Sequence, residues 1–475
     1  MVHKKHQLYG LALAGFLLLL YVMTAFNVTI SNDSVTNVEQ IASQDIMHRS
    51  SHFGFIFLGV MFYKIFALFG IHDAVISTQF MLSFFSVLGS LALFFLALKR
   101  SGNEKIALVS VVIYALSSNI WRFSIQNEYH VLIPSLGLLA IALWEFGFWI
   151  LGGLFFTLSF VTSPFVIFMI PFAIPSFSGK GKRPVIYSAA GFVFLYSLIA
   201  FFTIKETLYG DWSYKLIFDY HIKSLLTLKP LRVFAIWLYG YLRSFHFLFP
   251  FLILSFIYAF RKDRRIFYLL VASVIAHIPP AIPELRYGAY QMTFYPFLAF
   301  QAASMAFSYS GRMKVLFFTC MGLFLCMNLY IVNEERNFQH QLADTYRRLQ
   351  HDNAIADSST VLMYQATKPF NVIYAPRLNA VSIFTGYQEK QTDNLENYDL
   401  PDYQKIGNSS QVLYMLESGT SMPDDRLKLL VSGFVKSQGA KLKGFGLEKV
   451  KDLYPNAKIE AMKGYELPVY RVTNP

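Results

Sequence analysis

The sequence predicts an α-helical polytopic membrane protein of about eleven spans, carrying a small C-terminal α/β domain on the extracytoplasmic side. Three observations predict it. Of 475 residues, 55% are hydrophobic and 15% charged, with mean hydropathy +0.42, whereas soluble domains run at about 45–50% apolar and about 25% charged. Basic residues in the first two thirds of the chain sit in short clusters between apolar runs. Beyond Val332–Asn333 the apolar runs stop and the composition becomes that of a soluble domain.

A spanning helix needs about 20 largely apolar residues. Runs at 8–27, 75–98, 106–120, 130–146, 148–161, 163–178, 184–204, 242–260, 266–283, 289–308 and 314–332 qualify or come close. The first lacks a small-x-small cleavage site after its apolar stretch and reads as a retained anchor. The clusters Lys4-Lys5, Lys99-Arg100 with Lys105, Lys180-Lys182-Arg183, Arg261-Lys262-Arg264-Arg265 and Arg312-Lys314 all fall on one side if these runs alternate across the membrane. Short basic loops mark the cytoplasmic side, so the N-terminus is expected inside and the C-terminus outside, in a plasma (inner) membrane. Residues 53–71 are also long and apolar, but counting them as a span would move every later cluster outside. They are therefore expected to lie on the outer face as an interfacial helix, which Tyr63 and Lys64 suit.

The net charge of +12 does not indicate nucleic acid. Residues 333–475 hold 17 basic and 17 acidic side chains, leaving 24 basic and 12 acidic ones in residues 1–332, where they anchor loops. Cys320 and Cys326, six residues apart in one apolar run, exclude a disulfide scaffold or a cysteine-based metal site. The expected domains are a membrane domain, 1–332, whose first outer loop is 28–74, and a soluble domain, 333–475. The other outer pieces are a turn at 121–129 and a loop at 205–241 rich in aromatics and lysine. In the soluble domain, Asn337–Gln350 has helical spacing. Thr360–Tyr364, Ala380–Phe384, Gln411–Leu416 and Val469–Val472 read as strands, and Arg426–Ser437 and Leu447–Leu453 as amphipathic helices.

Ionisable side chains crowd the first outer loop: Asp33, Glu39, Asp45, His48, Arg49 and His52. A carboxylate beside the membrane can accept the proton of an acceptor hydroxyl and so sharpen that oxygen as a nucleophile. It can instead hold a divalent cation, with Asp33 a possible ligand. A neighbouring arginine or protonated histidine can stabilise a leaving phosphate. The structural alternative is a helix over 36–46 capped by Asp33 or Thr36, since Thr36-x-x-Glu39 fits a capping box.

At these residues the sequence resembles the GT-C membrane glycosyltransferases, the superfamily of protein O-mannosyltransferases and the aminoarabinose transferase. One branch carries an Asp-Ser/Cys-Gly-Glu motif and then a histidine motif before an interfacial helix. Asp33-Ser34 matches its start, with Val35-Thr36 in place of Gly-Glu. His52-Phe53-Gly54-Phe55 stands at the histidine motif without its prolines, while His48 keeps the Asp-to-His spacing more closely. Trp121-Arg122-Phe123-Ser124-Ile125-Gln126-Asn127-Glu128-Tyr129 is similar to the branch's Trp-x-x-Ser/Ala-x-Glu-x-Glu-x-Tyr stretch, with Gln126 for the first Glu. Glu284-Leu285-Arg286-Tyr287, followed by Phe294-Tyr295-Pro296-Phe297, is similar to an Arg-Tyr-x-x-Pro-x-x-Pro-Phe stretch. The resemblance covers about residues 8–310.

The resemblance implies transfer of a sugar from a polyprenyl-phosphate carrier to a glycan, lipid or protein acceptor at the outer face of the bilayer, usually with inversion. It implies Asp33 as catalytic base, with Glu39 or Asp45 able to substitute, and His48 or His52 orienting the acceptor or contacting phosphate. Arg286, beside Tyr287, becomes the phosphate clamp, its planar fork matching phosphate oxygens; its alternative is an ion pair with Glu284 or Glu128. Glu128 would bind sugar hydroxyls. Arg122 and Arg243 are secondary phosphate ligands, or simply side chains reaching for the interface. No resident cofactor is expected beyond a possible divalent cation. Two other readings stand beside this one. A non-catalytic binder or scaffold for lipid-linked sugars accommodates the missing motif Glu. A transporter or flippase would need paired charges at mid-depth and an internal repeat, and neither is visible in the sequence.

Overall fold

The computed structural model describes residues 2–28, 32–44, 46, 52–209, 230–262, 264–281, 289–351, 360–363, 379–382, 413–416, 458–465 and 469–473. The chain divides into two compact units, one of Met1–Asn27 with Asn37–Val332, the other of Val28–Thr36 with Asn333–Pro475.

Each apolar run named above contains a helix. The helices in order are α1 (Val2–Thr24), α2 (Asn32–Ser43), α3 (Phe53–Leu68), α4 (Ala74–Ser101), α5 (Glu104–Ala115), α6 (Ser118–Ser124), α7 (Leu132–Glu145), α8 (Trp149–Thr162), α9 (Ile170–Phe177), α10 (Arg183–Tyr209), α11 (Pro230–Phe245), α12 (Phe249–Lys262), α13 (Arg264–Ala281), α14 (Tyr295–Ser308) and α15 (Arg312–His351). Tight 3-10 turns at Tyr129–Val131, Pro164–Met169, His246–Leu248 and Tyr290–Phe294 lead into α7, α9, α12 and α14.

Local chemistry sets these boundaries. Asp73 caps α4 by accepting from the amides of Val75 and Ile76 at 2.8 and 3.0 Å, and Gly102 ends it in the left-handed conformation at φ 66°, where glycine carries no Cβ penalty. Lys99 and Arg100 complement the dipole in its last turn. Asn103 then caps α5. Along its length α4 buries Ser77, Ser83, Ser86 and Ser90, small residues that admit close neighbours in a bundle without a hydrophobic driving force.

Among the described residues, four helices are long and apolar enough to cross a membrane alone, five if the α5–α6 pair is one span bent by 67°. The remaining expected spans are shorter helices, several extended by a 3-10 turn. Proline explains much of this. Pro164 opens one such turn, Pro171 starts α9 and Pro175 sits inside it, removing backbone donors that a continuous helix needs. Pro279 and Pro280 lie in the last turn of α13. The run at 53–71 forms the 16-residue α3, about 24 Å long and short of a 30 Å hydrocarbon core. It does not lie wholly on a surface: Phe53 to Ile56 and Leu58 to Val60 are buried, and Gly54 sits directly on Thr162 of α8.

α8 and α10 pack backbone to backbone. A Cβ on Gly153 would collide with the carbonyl of Ser188, and one on Gly191 with the carbonyl of Ile150. Backbone faces backbone at both places, so neither neighbour can yield. Gly153→Leu should therefore lower the thermal midpoint of the detergent-solubilised protein, since overpacking costs about 1–3 kcal/mol or more. Gly15→Leu, where nothing lies within 4 Å, should leave it unchanged. Equal midpoints for the two variants would contradict this packing.

The expected break at Val332–Asn333 is not a break in the helix. α15 continues through it to His351 as one 40-residue element, merging the last span with the helix expected at 337–350. The linking residues Asn333-Glu334-Glu335-Arg336 contain no glycine or proline, and Glu and Arg are good helix formers. The second unit contains a five-stranded sheet of β1 (Thr360–Met363), β2 (Asn379–Ser382), β3 (Leu413–Leu416), β4 (Lys458–Met462) and β5 (Val469–Thr473) in the order β2-β1-β3-β5-β4. β1 pairs in parallel with β2 and β3, and β5 antiparallel with β3 and β4. Four of these strands lie where apolar alternation placed them. β4 was missed because it is a polar edge strand, with Lys458 and Glu460 paired on its surface at 2.5 Å, the usual guard on an exposed edge. The helices expected at 426–437 and 447–453 lie outside the described residues.

Candidate functional site

α4 provides a ruler. About 38 Å of helix separate Val75 from Arg100, so its ends mark two opposite faces of the bundle. At the C-terminal end Arg100 Nη2 lies 3.2 Å from Glu145 Oε2, and Lys99 Nζ lies 3.8 Å from Glu145 Oε1. Ser176 donates to the same carboxylate at 2.5 Å. Glu145, given no role from sequence, is thus the acidic centre of an ionic knot on the basic face.

At the other end the segment between α6 and α7 is pinned. Asn127, fully buried, accepts from Gln79 Nε2 at 2.9 Å and donates to the Val75 carbonyl at 2.9 Å. Gln79 accepts in turn from the amide of Asn27. The amide of Phe26 donates to Ile125, and Trp121 Nε1 donates to Thr24. The end of α1, the start of α4 and residues 121–127 are thereby fixed to one another. Asn127→Ala leaves Gln79 without this acceptor and should cost about 1–3 kcal/mol, read as a lower melting temperature.

This clamp sets the direction of residues 128–130. Tyr129 stacks on His52 with centroids 3.8 Å apart, and its hydroxyl meets that of Tyr290 at 2.8 Å. His52 donates from Nδ1 to the carbonyl of Thr162 at 3.1 Å, which fixes its tautomer. Tyr290 stacks on Phe165 at 3.9 Å, and its carbonyl accepts from His277 Nε2 at 3.2 Å. His130 packs edge-on against Phe123 and Tyr290, and its Nε2 lies 3.7 Å from Glu128 Oε2. Side chains from five separate stretches of chain meet here. Nδ1 of His130 and Nε2 of Gln126 are buried with no hydrogen-bond partner among the described residues. Buried unsatisfied groups are costly.

A second polar node adjoins α6. Tyr295 donates to Ser244 at 2.6 Å and accepts from Asn119 at 3.2 Å, while Ser118 donates to the carbonyl of Arg243. Arg122, one turn along α6, lies over the Phe123 ring at 5.4 Å. α6 is bent by 67° from α5.

Compared with known structures, the chain matches over 99% of its length, and over 98% of the other chain, ArnT from Cupriavidus metallidurans in the apo state, with a TM-score of 0.52 at 11% identity. The chain therefore shares its overall fold with that protein. A second solved structure, the Archaeoglobus fulgidus oligosaccharyltransferase in complex with zinc and sulfate, is similar over 84% of this chain and 68% of that chain, with a TM-score of 0.49 and 11% identity. No protein-family model matches the sequence, and no curated protein matches it.

Within the bundle, the structure joins two of the expected residues, His52 and Glu128, through Tyr129 and His130. It puts Arg122 on the adjoining helix and Arg243 beside Ser118. Asp33 is the second residue of α2, which begins at Asn32. The helix expected from 36 therefore starts earlier, and Thr36 lies inside it rather than at its cap. Glu39 lies on the same helix and is half-buried. His48, Arg286 and Tyr287 lie outside the described residues, as does the loop stretch 210–229. Among the described residues no group of three His, Cys, Asp or Glu side chains could hold a metal ion. Tyr290 and His130 went unassigned from sequence. The only signal for them was adjacency, His130 following the Glu128-Tyr129 pair and Tyr290 preceding the Phe294-Tyr295-Pro296 motif.

Burial holds the Glu39 carboxyl above the ordinary carboxylate range. A raised folded-state value means that the contribution to stability is complete below the unfolded value of about 4.3 and is lost as pH rises through the folded one. Glu39→Gln should therefore raise the melting temperature at pH 7 and leave it unchanged below about pH 4, checked by unfolding scans across that range.

Proposed function

We propose that this protein is an integral membrane glycosyltransferase that moves a sugar from a polyprenyl-phosphate carrier to an acceptor hydroxyl at the extracytoplasmic face. The observation that carries the reading is the end-to-end GT-C fold, whose rim opposite the basic clusters gathers histidines, tyrosines and a glutamate. Short basic loops support a reading in which that rim and the soluble domain, 333–475, face outside and the N-terminus lies in the cytoplasm.

In this mechanism the acceptor hydroxyl gives its proton to Asp33, its oxygen attacks the anomeric carbon, and the bond to the carrier phosphate breaks with inversion. Arg286 takes up the charge of the departing phosphate, with Arg122 and Arg243 as secondary phosphate ligands. A divalent cation on Asp33 is the alternative source of that positive charge. Glu128, His130 and Gln126 offer a carboxylate and two buried, unpartnered nitrogens to sugar hydroxyls, and His52, held by Thr162 and Tyr129, orients the acceptor. His48 and Tyr287 are assigned to the same site by motif. A lipid donor suits the bundle, because a prenyl chain reaches the rim by lateral diffusion.

The replacement of the motif Gly-Glu by Val35-Thr36 favours a second reading, a protein that binds lipid-linked sugar without transferring it. The test is to supply the purified protein with polyprenyl-phosphate sugars and follow transfer to a hydroxyl acceptor or hydrolysis of the donor. Turnover supports the enzyme. Donor binding without turnover supports the binder, and failure to bind any lipid-linked sugar sinks both.

A further inference from the structure

The basic face carries a groove that glycosyl transfer does not use. Its volume is about 390 Å³ and it is lined by Trp144, Phe156, Ile170, Ala173, Ile174, Phe177 and Ser178. It exists because α9 is short. Preceded by a 3-10 turn and carrying Pro171 and Pro175, the helix spans only Ile170–Phe177, about 12 Å, and leaves its flank uncovered. Ile170, Ala173, Ile174 and Phe177 follow helical spacing along that flank. The opposite flank is tied down: Ser176 donates to Glu145 and accepts from Arg100, and the Arg100 guanidinium lies over Phe172 at 4.6 Å. The floor is rigid as well, with Trp144 seated on Gly152 and packed against Phe156 and Phe177 at 5.4 and 5.1 Å.

The mouth is basic. After Ser178, two left-handed glycines, Gly179 and Gly181, both at φ 74°, fold the loop back so that Lys180 Nζ lies over the Trp149 ring at 5.0 Å. Lys182 and Arg183 follow, and all three side chains are exposed. An apolar slot opening beside three cations has the shape and charge of one kind of molecule. We infer that this groove is a binding site for an anionic phospholipid, with an acyl chain along α9 and the headgroup phosphate at Lys180, Lys182 and Arg183. Exposed Ile170 and Ile174, 48% and 37% accessible, would be covered by the chain. Attraction of basic side chains to anionic headgroups supplies the selectivity.

The test uses the full-length protein in detergent micelles, titrated with equimolar phosphatidylglycerol and phosphatidylcholine of identical acyl chains and read by native mass spectrometry. The parent should carry more phosphatidylglycerol, and the preference should fall about fivefold for each charge removed in Lys180→Ala and Lys182→Ala. Ile174→Trp fills the slot from an exposed position and should lower phosphatidylglycerol occupancy without shifting the melting temperature. Glycerophosphoglycerol, a headgroup without chains, should not bind. Equal occupancy of the two lipids, a preference that survives both lysine substitutions, parental occupancy in Ile174→Trp, or binding of the bare headgroup would each overturn the proposal. Sugar transfer plays no part in this readout, so the result stands apart from the catalytic reading.

Discussion

Asp33→Asn is expected to lower sugar transfer about a hundredfold to ten-thousandfold, the range for losing a general base. The substitution keeps size and hydrogen bonding while removing proton affinity. If Asp33 acts only on the chemical step, kcat falls and KM for the donor stays put. Glu39→Gln is the control within the same helix: it removes a carboxylate whose burial already disfavours its charge, and it should cost far less activity unless Glu39 is the substitute base. Activity equal to the parent in Asp33→Asn removes Asp33 from the mechanism. A large loss in Glu39→Gln alone moves the base to Glu39. Arg286→Lys tests the phosphate clamp separately, because lysine keeps the charge but loses the fork.

The largest effect on stability is expected at the ionic knot of the basic face. Glu145→Ala leaves Arg100, whose side chain is 14% exposed, without its carboxylate partner and strips Ser176 of its acceptor. Removing one member of a buried pair costs about 3–5 kcal/mol, much of it the uncompensated charge left behind. The melting temperature should drop sharply. Replacing both partners, Glu145→Leu with Arg100→Leu, should restore most of the loss, because apolar side chains of similar volume need no partner. A double variant as unstable as the single one would show that the knot acts through something other than charge. The knot also supports α9, so Glu145→Ala should weaken phospholipid binding in the groove.

Much of this architecture was legible in the chain, for identifiable reasons. A long apolar run favours a helix, because every backbone polar group is then satisfied within its own segment, and each run contains one. Alternation placed β1, β2, β3 and β5, and charge-dressed β4 escaped because an edge strand needs no second apolar face. Boundaries with strong local chemistry, such as Asp73 before α4 and Gly102 after it, follow from short-range bonds alone. The continuation of α15 past Val332 was readable in principle, since no breaker stands there, but the change in polarity drew attention away from it.

The sequence by itself determined which segments form apolar helices, where the basic clusters stand and which residue types crowd the first loop and the 121–129 stretch, because hydrophobicity, loop charge and capping act within a few residues of where they are written. Only the tertiary structure decided that His52 stacks on Tyr129, that Tyr129 meets Tyr290, that Glu145 binds Arg100 and that a truncated α9 opens a groove. These pairings join positions 45 to 161 residues apart. Bends at α5–α6 and proline-shortened helices set their geometry, and no local rule says which distant neighbour a buried polar side chain will find.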